Sequence, residues 1–457
     1  MLIYLSIIEH FIKKLYIFLI NIEYGYSYGG KIMKKSTKDS IIVGFALFSM
    51  FFGAGNLIFP AFLGNAIGDQ YLLGIIGFIL TGVGLPLLAI IACSKGDGSF
   101  KSIVNRVGPK FAITFTAILF IAIGPMLAIP RTAATTFELT ISPFFSGVSP
   151  FIAMTIYFLI NLYFVLGKTS IIDAIGKYLT PSLMIILFIL IVKGLVMPIG
   201  NVVETNAINV FPHSLLEGYQ TMDAIAALLF AGMITNSIKD KGYKDKEMPT
   251  MIMKSSLVAI LGLAFVYGGL TYIGAQTIGL ASPEISKTSL LILISKSILG
   301  NIGPVIIGIA MGLACLTTSI GLITSGANFF ERISNGRFSF KLNAILISIV
   351  SLGIATLGVD NIIVLSVPIL NILYPVSITL IVTTLLSKYI NNDKAIKVGV
   401  YTSLIFGILF SIPGINLNFI PLAELGFGWF IPTVLSIILS YIIFTIIDNQ
   451  DQEPEFE

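Results

Sequence analysis

The run Phe45–Pro60 reads FALFSMFFGAGNLIFP and sets Gly53, Gly55 and Asn56 in the middle of an apolar stretch, with Pro60 close behind. Relative to alanine, glycine costs a helix about 1 kcal/mol and proline about 3. Small residues also let neighbouring helices approach, so packing alone would account for one glycine. GAGN, however, puts two glycines and a strong capping residue side by side, which points to an unwound segment. Unwinding frees amides at the positive end of the following half-helix, and these suit a carboxylate. It also frees carbonyls, which suit a cation.

Three further groupings invite chemistry. The run Thr221–Lys239 reads TMDAIAALLFAGMITNSIK, and its middle is interrupted only at Phe230-Ala231-Gly232, a weaker break than the first. Asp223 lies near its start, where a carboxylate stabilises a helix N-terminus; carboxylates within spans also mark ion paths. Asn236 and Ser237 lie at its other end. The run from Ala314 to Gly321 carries Thr317, Thr318 and Ser319 in succession. Such hydroxyls bond back to carbonyls one turn earlier, or, with the Ala314 carbonyl, supply oxygen ligands for a small hard cation such as sodium. Both readings stand on these residues. Arg131 and Glu138 are two turns apart and share one helix face. They form either an ion pair at an aqueous vestibule or a gate on a permeation path.

The elements that must position these residues are read from the apolar runs. The chain of 457 residues is 56% hydrophobic and 11% charged, with a mean hydropathy of +0.97, against about 25% charged in a soluble domain. Apolar runs of spanning length recur along nearly the whole chain, so lipid is the solvent for most of its surface. Runs between charged breaks predict about twelve transmembrane helices, near 40–63, 70–93, 111–138, 150–167, 172–198, 220–238, 250–279, 301–330, 342–358, 361–387, 398–413 and 424–447. The short apolar stretch 284–300 reads as a helix at the outer interface.

Charge supports this division. With the N-terminal side in the cytoplasm, only Arg131, Lys193, Lys287 and Lys296 of the 27 Lys and Arg fall outside, once Lys13 and Lys14 are set aside. That is the positive-inside bias, with both termini cytoplasmic. Segment 1–38 precedes the spans. Leu2–Ile20 is apolar but carries Glu9, His10, Lys13 and Lys14, which reads as an amphipathic surface helix or as sequence upstream of a start at Met33; the second is favoured. Units 39–198 and 220–387 are nearly equal in length and hold five spans each, so the second enters from the opposite side. This is the arithmetic of an inverted-topology repeat. Two accessory helices (398–447) and an acidic cytoplasmic tail (448–457) follow.

Other chemistries lack their residues. Cys93 and Cys315 are too far apart in sequence for a disulfide framework or cluster, and His10 and His213 have no partners at metal-ligand spacing. GDGSFKS at 96–102 lacks phosphate-loop spacing. No nucleotide site, nucleic-acid partner or cofactor is expected beyond a coupling ion, and no enzyme. Uphill transport must then draw on an ion gradient.

In SIIVGFALFSMFFGAGNLIFP (40–60), IPRTAATTFE (129–138) and TMDAIAAL (221–228), the chain resembles the branched-chain amino acid:cation symporter family, the bacterial carrier-II type, across 40–447. That family belongs to the amino acid–polyamine–cation superfamily. The resemblance implies an all-α membrane protein with a five-plus-five inverted repeat and broken first and sixth helices. It implies that the amides of Gly53, Ala54 and Gly55 hold the substrate carboxylate, with Asn56 completing that side of the substrate site and Phe230, Ala231 and Gly232 on the sixth span opposite. It further implies a cation held by Ala314, Thr317 and Thr318 with first-span carbonyls at Ser49 and Phe52. Arg131, Glu138 and Asp223 remain gate or coupling candidates. Import of leucine, isoleucine and valine across a bacterial inner membrane, coupled to sodium or protons, is the expected function. An amino acid-gated channel or transporter-like sensor is the alternative.

Overall fold

The computed structural model describes residues 35–167, 171–244 and 246–450. The amphipathic stretch Leu2–Ile20, the start at Met33 and residues 451–457 of the tail lie outside them. Every regular element among the described residues is a helix. The first span is two helices, α1 (Lys35–Phe51) and α2 (Gly55–Ile67). The second joins α3 (Tyr71–Ile79) to α4 (Leu85–Ser94) through a π-helical turn, Leu80–Gly84. After a short α5 (Phe100–Val104), the third span runs from α6 (Pro109–Ile121) to α7 (Ile129–Thr136). Between them Ala122–Ala128 is π-helical and kinked at Gly124, whose ψ is −107°. The fourth and fifth spans are α8 (Pro150–Leu166) and α9 (Ile171–Val196).

The sixth span is again two helices, α10 (Val210–Tyr219) and α11 (Asp223–Asp240). Then come α12 (Met248–Ala275), the surface helix α13 (Lys287–Leu299) and α14 (Gly303–Ile333). The last four spans are α15 (Phe340–Ala355), α16 (Val359–Leu385), α17 (Asp393–Ser411) and α18 (Phe430–Gln450). Among the described residues, eight helical stretches are long and apolar enough to cross a membrane, accompanied by the shorter apolar helices Pro150–Leu166, Ser182–Val196 and Phe340–Ala355. Each predicted span coincides with a helix or a run of helices, and the predicted interfacial stretch is α13.

Local signals explain the boundaries. Proline stands in the first turn of α6, α8, α12 and α14, where its missing N–H costs nothing. Ser286 caps α13, Ser339 caps α15 and Asn392 caps α17 by accepting first-turn amides. The outward faces are apolar: Phe151, Ile152, Leu159 and Tyr163 of α8 are all exposed, as helices solvated by lipid require.

The core forms where α12 crosses α1 and α2. A Cβ on Gly64 would stand 1.8 Å from the Thr271 carbonyl oxygen, and one on Gly274 would stand 2.0 Å from that of Ala61. Only hydrogen fits at either position, so α2 and α12 lie backbone against backbone. This contact fixes the height of Tyr267 on α12 relative to the break between α1 and α2.

Two features depart from the sequence reading. The sixth span reaches back to Val210 rather than starting at 220, and it breaks at 220–222. Ala231 and Gly232, where the interruption was expected, lie inside the unbroken helix α11. A single glycine costs about 1 kcal/mol, too little to break a helix packed on the core.

Candidate functional site

The break between α1 and α2 is closed by its own asparagine. The Phe52 amide donates to the Phe48 carbonyl at 2.8 Å and ends α1. The Gly53 amide donates to Asn56 Oδ1 at 2.8 Å, so one of the amides expected for a carboxylate is held by Asn56 itself. The other face of the Asn56 amide group reaches across the protein. Its Nδ2 donates to Asp223 Oδ2 at 2.8 Å and also to the Tyr267 hydroxyl. Tyr267 in turn donates to Asp223 Oδ2 at 2.7 Å. All three side chains are buried. The first span, the sixth and α12 are thereby tied at one carboxylate oxygen.

The sixth-span break is held differently. Met222 takes a left-handed backbone, φ +64°, which is uncommon for a residue with a Cβ. Its neighbours anchor it. The Tyr374 hydroxyl donates to the Tyr219 carbonyl at 2.8 Å, and Thr221 Oγ1 donates to the Gly218 carbonyl at 2.9 Å. Ser366 donates to Gln220 Oε1 at 2.7 Å, while Arg131 Nη1 donates to the Gln220 carbonyl at 2.8 Å. Unwound backbone in a lipid-solvated protein needs such partners.

Arg131 therefore belongs to the site. It is buried, its guanidinium lies 5.2 Å from the centre of the Phe59 ring, and Nε has no hydrogen-bond partner. A Cβ on Gly55 would stand 2.8 Å from Nη2. Glu138 is elsewhere: it accepts from the Thr288 hydroxyl at 2.7 Å and from the Val359 amide at 2.9 Å. The ion pair that their shared helix face allowed, one of the two readings of these residues, does not form. Two turns of spacing put them on one face, but Glu138 lies in the π-helical Phe137–Ile141 and is taken by α13 and α16, while Arg131 turns to the Gln220 carbonyl at the sixth-span break.

A cavity of about 30 Å³ lies between the two breaks. Its polar wall includes Gly53, Ala54, Asn56, Arg131, Asp223 and Thr318, and its apolar wall includes Ile123, Ala226, Phe230 and Leu322. This volume holds about one or two waters. Ala231 is buried without lining the cavity, and Gly232 points towards Ser99, 4.0 Å from where its Cβ would be. Thr318 Oγ1 donates to the Phe52 carbonyl at 3.3 Å, which unites two of the residues expected at a cation. Thr317 Oγ1 instead bonds back to the Ala314 carbonyl at 2.8 Å, the local alternative for a hydroxyl in an apolar helix. Ser49 lies in the last turn of α1.

Sequence reasoning missed Tyr267 and Tyr374. A tyrosine hydroxyl in the middle of an apolar span must find a partner, and that was the available signal. It also missed the break at Met222, which no glycine or proline marks.

The family described as branched-chain amino acid transport protein matches residues 36–447. The chain belongs to that family. It is 36% identical over 438 residues to the branched-chain amino acid permease BraB of Bacillus subtilis, covering 92% of this chain and 98% of BraB. Membership makes it a multi-pass membrane permease and not an enzyme, and it supports amino acid transport. Two solved transporters share the fold. MhsT, solved in complex with L-phenylalanine, has a TM-score of 0.54 at 17% identity, over 88% of this chain and 98% of its own. Mhp1, a nucleobase-cation-symport-1 family transporter solved closed with bromovinylhydantoin bound, has a TM-score of 0.59 at 13% identity, over 89% and 92%. The family member described here is thus all-α, with interrupted first and sixth spans.

Proposed function

We propose that the protein is a secondary active symporter that imports leucine, isoleucine and valine by alternating access. The observation that carries this reading is the meeting of two interrupted spans at one buried cavity with a polar and an apolar wall. A branched aliphatic side chain suits the wall of Ile123, Ala226, Phe230 and Leu322. Apolar pockets separate substrates differing by one methylene by only about 1–3 kcal/mol, so all three amino acids are accepted. A cavity of about 30 Å³ admits a leucine only if the surrounding helices separate, and rocking of one inverted repeat against the other supplies that movement. The units are 39–198 and 210–387, the second starting at α10, with α17 and α18 accessory to both.

Sodium is the coupling ion in this reading, with Thr318 Oγ1 and the Phe52 carbonyl as its nearest oxygens and Ser49, Ala314 and Thr317 adjoining. Proton coupling is the second reading. It is favoured by Asp223, a buried carboxylate at the junction of both breaks. The Lys and Arg distribution supports cytoplasmic termini in a bacterial inner membrane. Proteoliposomes loaded with unlabelled leucine should draw in labelled leucine against its gradient, and this uptake should fall when sodium is replaced by choline at fixed pH. Absence of exchange would favour a channel or sensor. Exchange that ignores sodium and follows pH would move coupling to Asp223.

A further inference from the structure

The polar wall of the cavity holds two buried groups of opposite charge that do not meet. Arg131 spends Nη1 on the Gln220 carbonyl, leaves Nε without a partner and directs Nη2 to the surface of Gly55. Asp223 accepts two neutral donors, Asn56 and Tyr267, on one oxygen. No ion pair joins Arg131 to Asp223 among the described residues. A buried charge is costly unless an opposite charge reaches it, and here both signs line one small space.

We propose that Arg131 and Asp223 are a charge clamp for the zwitterion of an α-amino acid. The guanidinium takes the carboxylate, together with first-turn amides of α2, and Asp223 takes the ammonium. The proposal rests on the transport reading above and deepens it. Two features of the breaks lead to it. The Gly53 amide is already held by Asn56, so the α2 terminus alone offers the carboxylate fewer donors than its sequence suggests. Of the first-turn amides, that of Asn56 donates to the Gly53 carbonyl at 3.3 Å; the others lack partners within their own helix, and Gly55, which opens that turn, faces Nη2 of Arg131. On the opposite side, the carbonyls of Gly218, Tyr219, Gln220 and Met222 each already accept a hydrogen bond, which leaves the Thr221 carbonyl, a neutral acceptor next to Asp223 on the cavity wall. Asp223 is the anion on the cavity wall best able to receive an ammonium. Separation is what makes the arrangement useful: joined, the two side chains would satisfy each other and gain little from a ligand.

The test is binding of three ligands to the purified full chain, measured by titration calorimetry: leucine, leucinamide (no carboxylate) and 4-methylpentanoate (no amine). A site built for a polar group rejects an analogue lacking it, so the parent should prefer leucine to either by about 100-fold or more. In Arg131→Met, leucine should weaken by about 100-fold while leucinamide keeps or gains affinity, because it has no carboxylate to lose. Asp223→Asn is the independent arm and decides the matter if the first variant does not fold. There leucine should weaken while 4-methylpentanoate keeps or gains affinity. A merely structural role would weaken both ligands together, and that result overturns the clamp, as does unchanged leucine affinity in either variant. A parent that binds no leucine overturns the transport reading and the clamp with it. A parent that binds leucine while its variants fail the pattern overturns the clamp alone.

Discussion

The first span breaks at 52–54 through residues that favour breaking, whereas the sixth breaks at 220–222 through residues that do not. GAGN carries its own interruption: glycines weaken the helix, and Asn56 closes the gap by accepting the Gly53 amide. Gln220, Thr221 and Met222 have no such bias. Their break is imposed from outside by side chains of the third and tenth spans: Tyr374 and Arg131 satisfy opened carbonyls, and Ser366 holds the Gln220 side chain. One break is thus encoded locally and the other by its neighbours. They should answer differently to substitution.

The largest effect is expected at Gly55. A Cβ there would stand 2.8 Å from Arg131 Nη2 and 3.0 Å from the Phe59 ring, so Gly55→Val must displace the buried guanidinium. Misplacement by about 1 Å costs about 100-fold. Leucine uptake, normalised to protein in the membrane, should fall at least that far with expression near the parent level. Uptake that survives would move the substrate away from the first break.

Next is the sixth break. Met222→Val puts a β-branched residue at φ +64° and should cost about 1–3 kcal/mol. Its melting temperature in detergent should drop, whereas Met222→Leu, unbranched at Cβ, should melt near the parent. Equal melting of all three would mean that the left-handed turn is not held as described.

A smaller, selective effect is expected at Thr318. Thr318→Ala removes the hydroxyl that meets the Phe52 carbonyl but keeps a good helix former. The sodium concentration for half-maximal uptake should rise several-fold, roughly one lost oxygen ligand. Leucine affinity at saturating sodium should change much less, because the two ligands couple through a shared state. Ser319→Ala, rotated by about 100° round the helix, should leave the sodium curve near the parent. Identical curves in both variants would return these hydroxyls to helix packing.

The smallest effect sharpens the contrast within GAGN. A Cβ on Gly53 would meet the Thr318 methyl at 3.5 Å, an ordinary contact. Gly53→Ala should therefore keep uptake within about fivefold of the parent, the factor that about 1 kcal/mol, the scale of a glycine-to-alanine change, corresponds to. A loss matching that of Gly55 variants would show that flexibility at the break, rather than the space beside Arg131, is what matters.

The spans, their number and the first break were legible because each depends on local composition: apolar run length, charged breaks, and glycine with asparagine at mid-span. The sixth break was sought at Ala231-Gly232 because glycine is the visible marker of weakness, yet α11 runs through it unbroken. Helical spacing allows Arg131 and Glu138 to pair or to gate, since a shared face is all a sequence shows, and the structure hands each to different neighbours. Tyr267 enters the site through the backbone contacts of Gly64 with Thr271 and of Gly274 with Ala61, which set α12 against α2. Sequence by itself determined the lipid-solvated helices and one unwound point, since these follow from nearest-neighbour energetics along the chain. Only the tertiary structure decided where the second break falls and which charges face one cavity. Those outcomes depend on partners far apart in sequence, whose hydrogen bonds to opened backbone outweigh local helix preference.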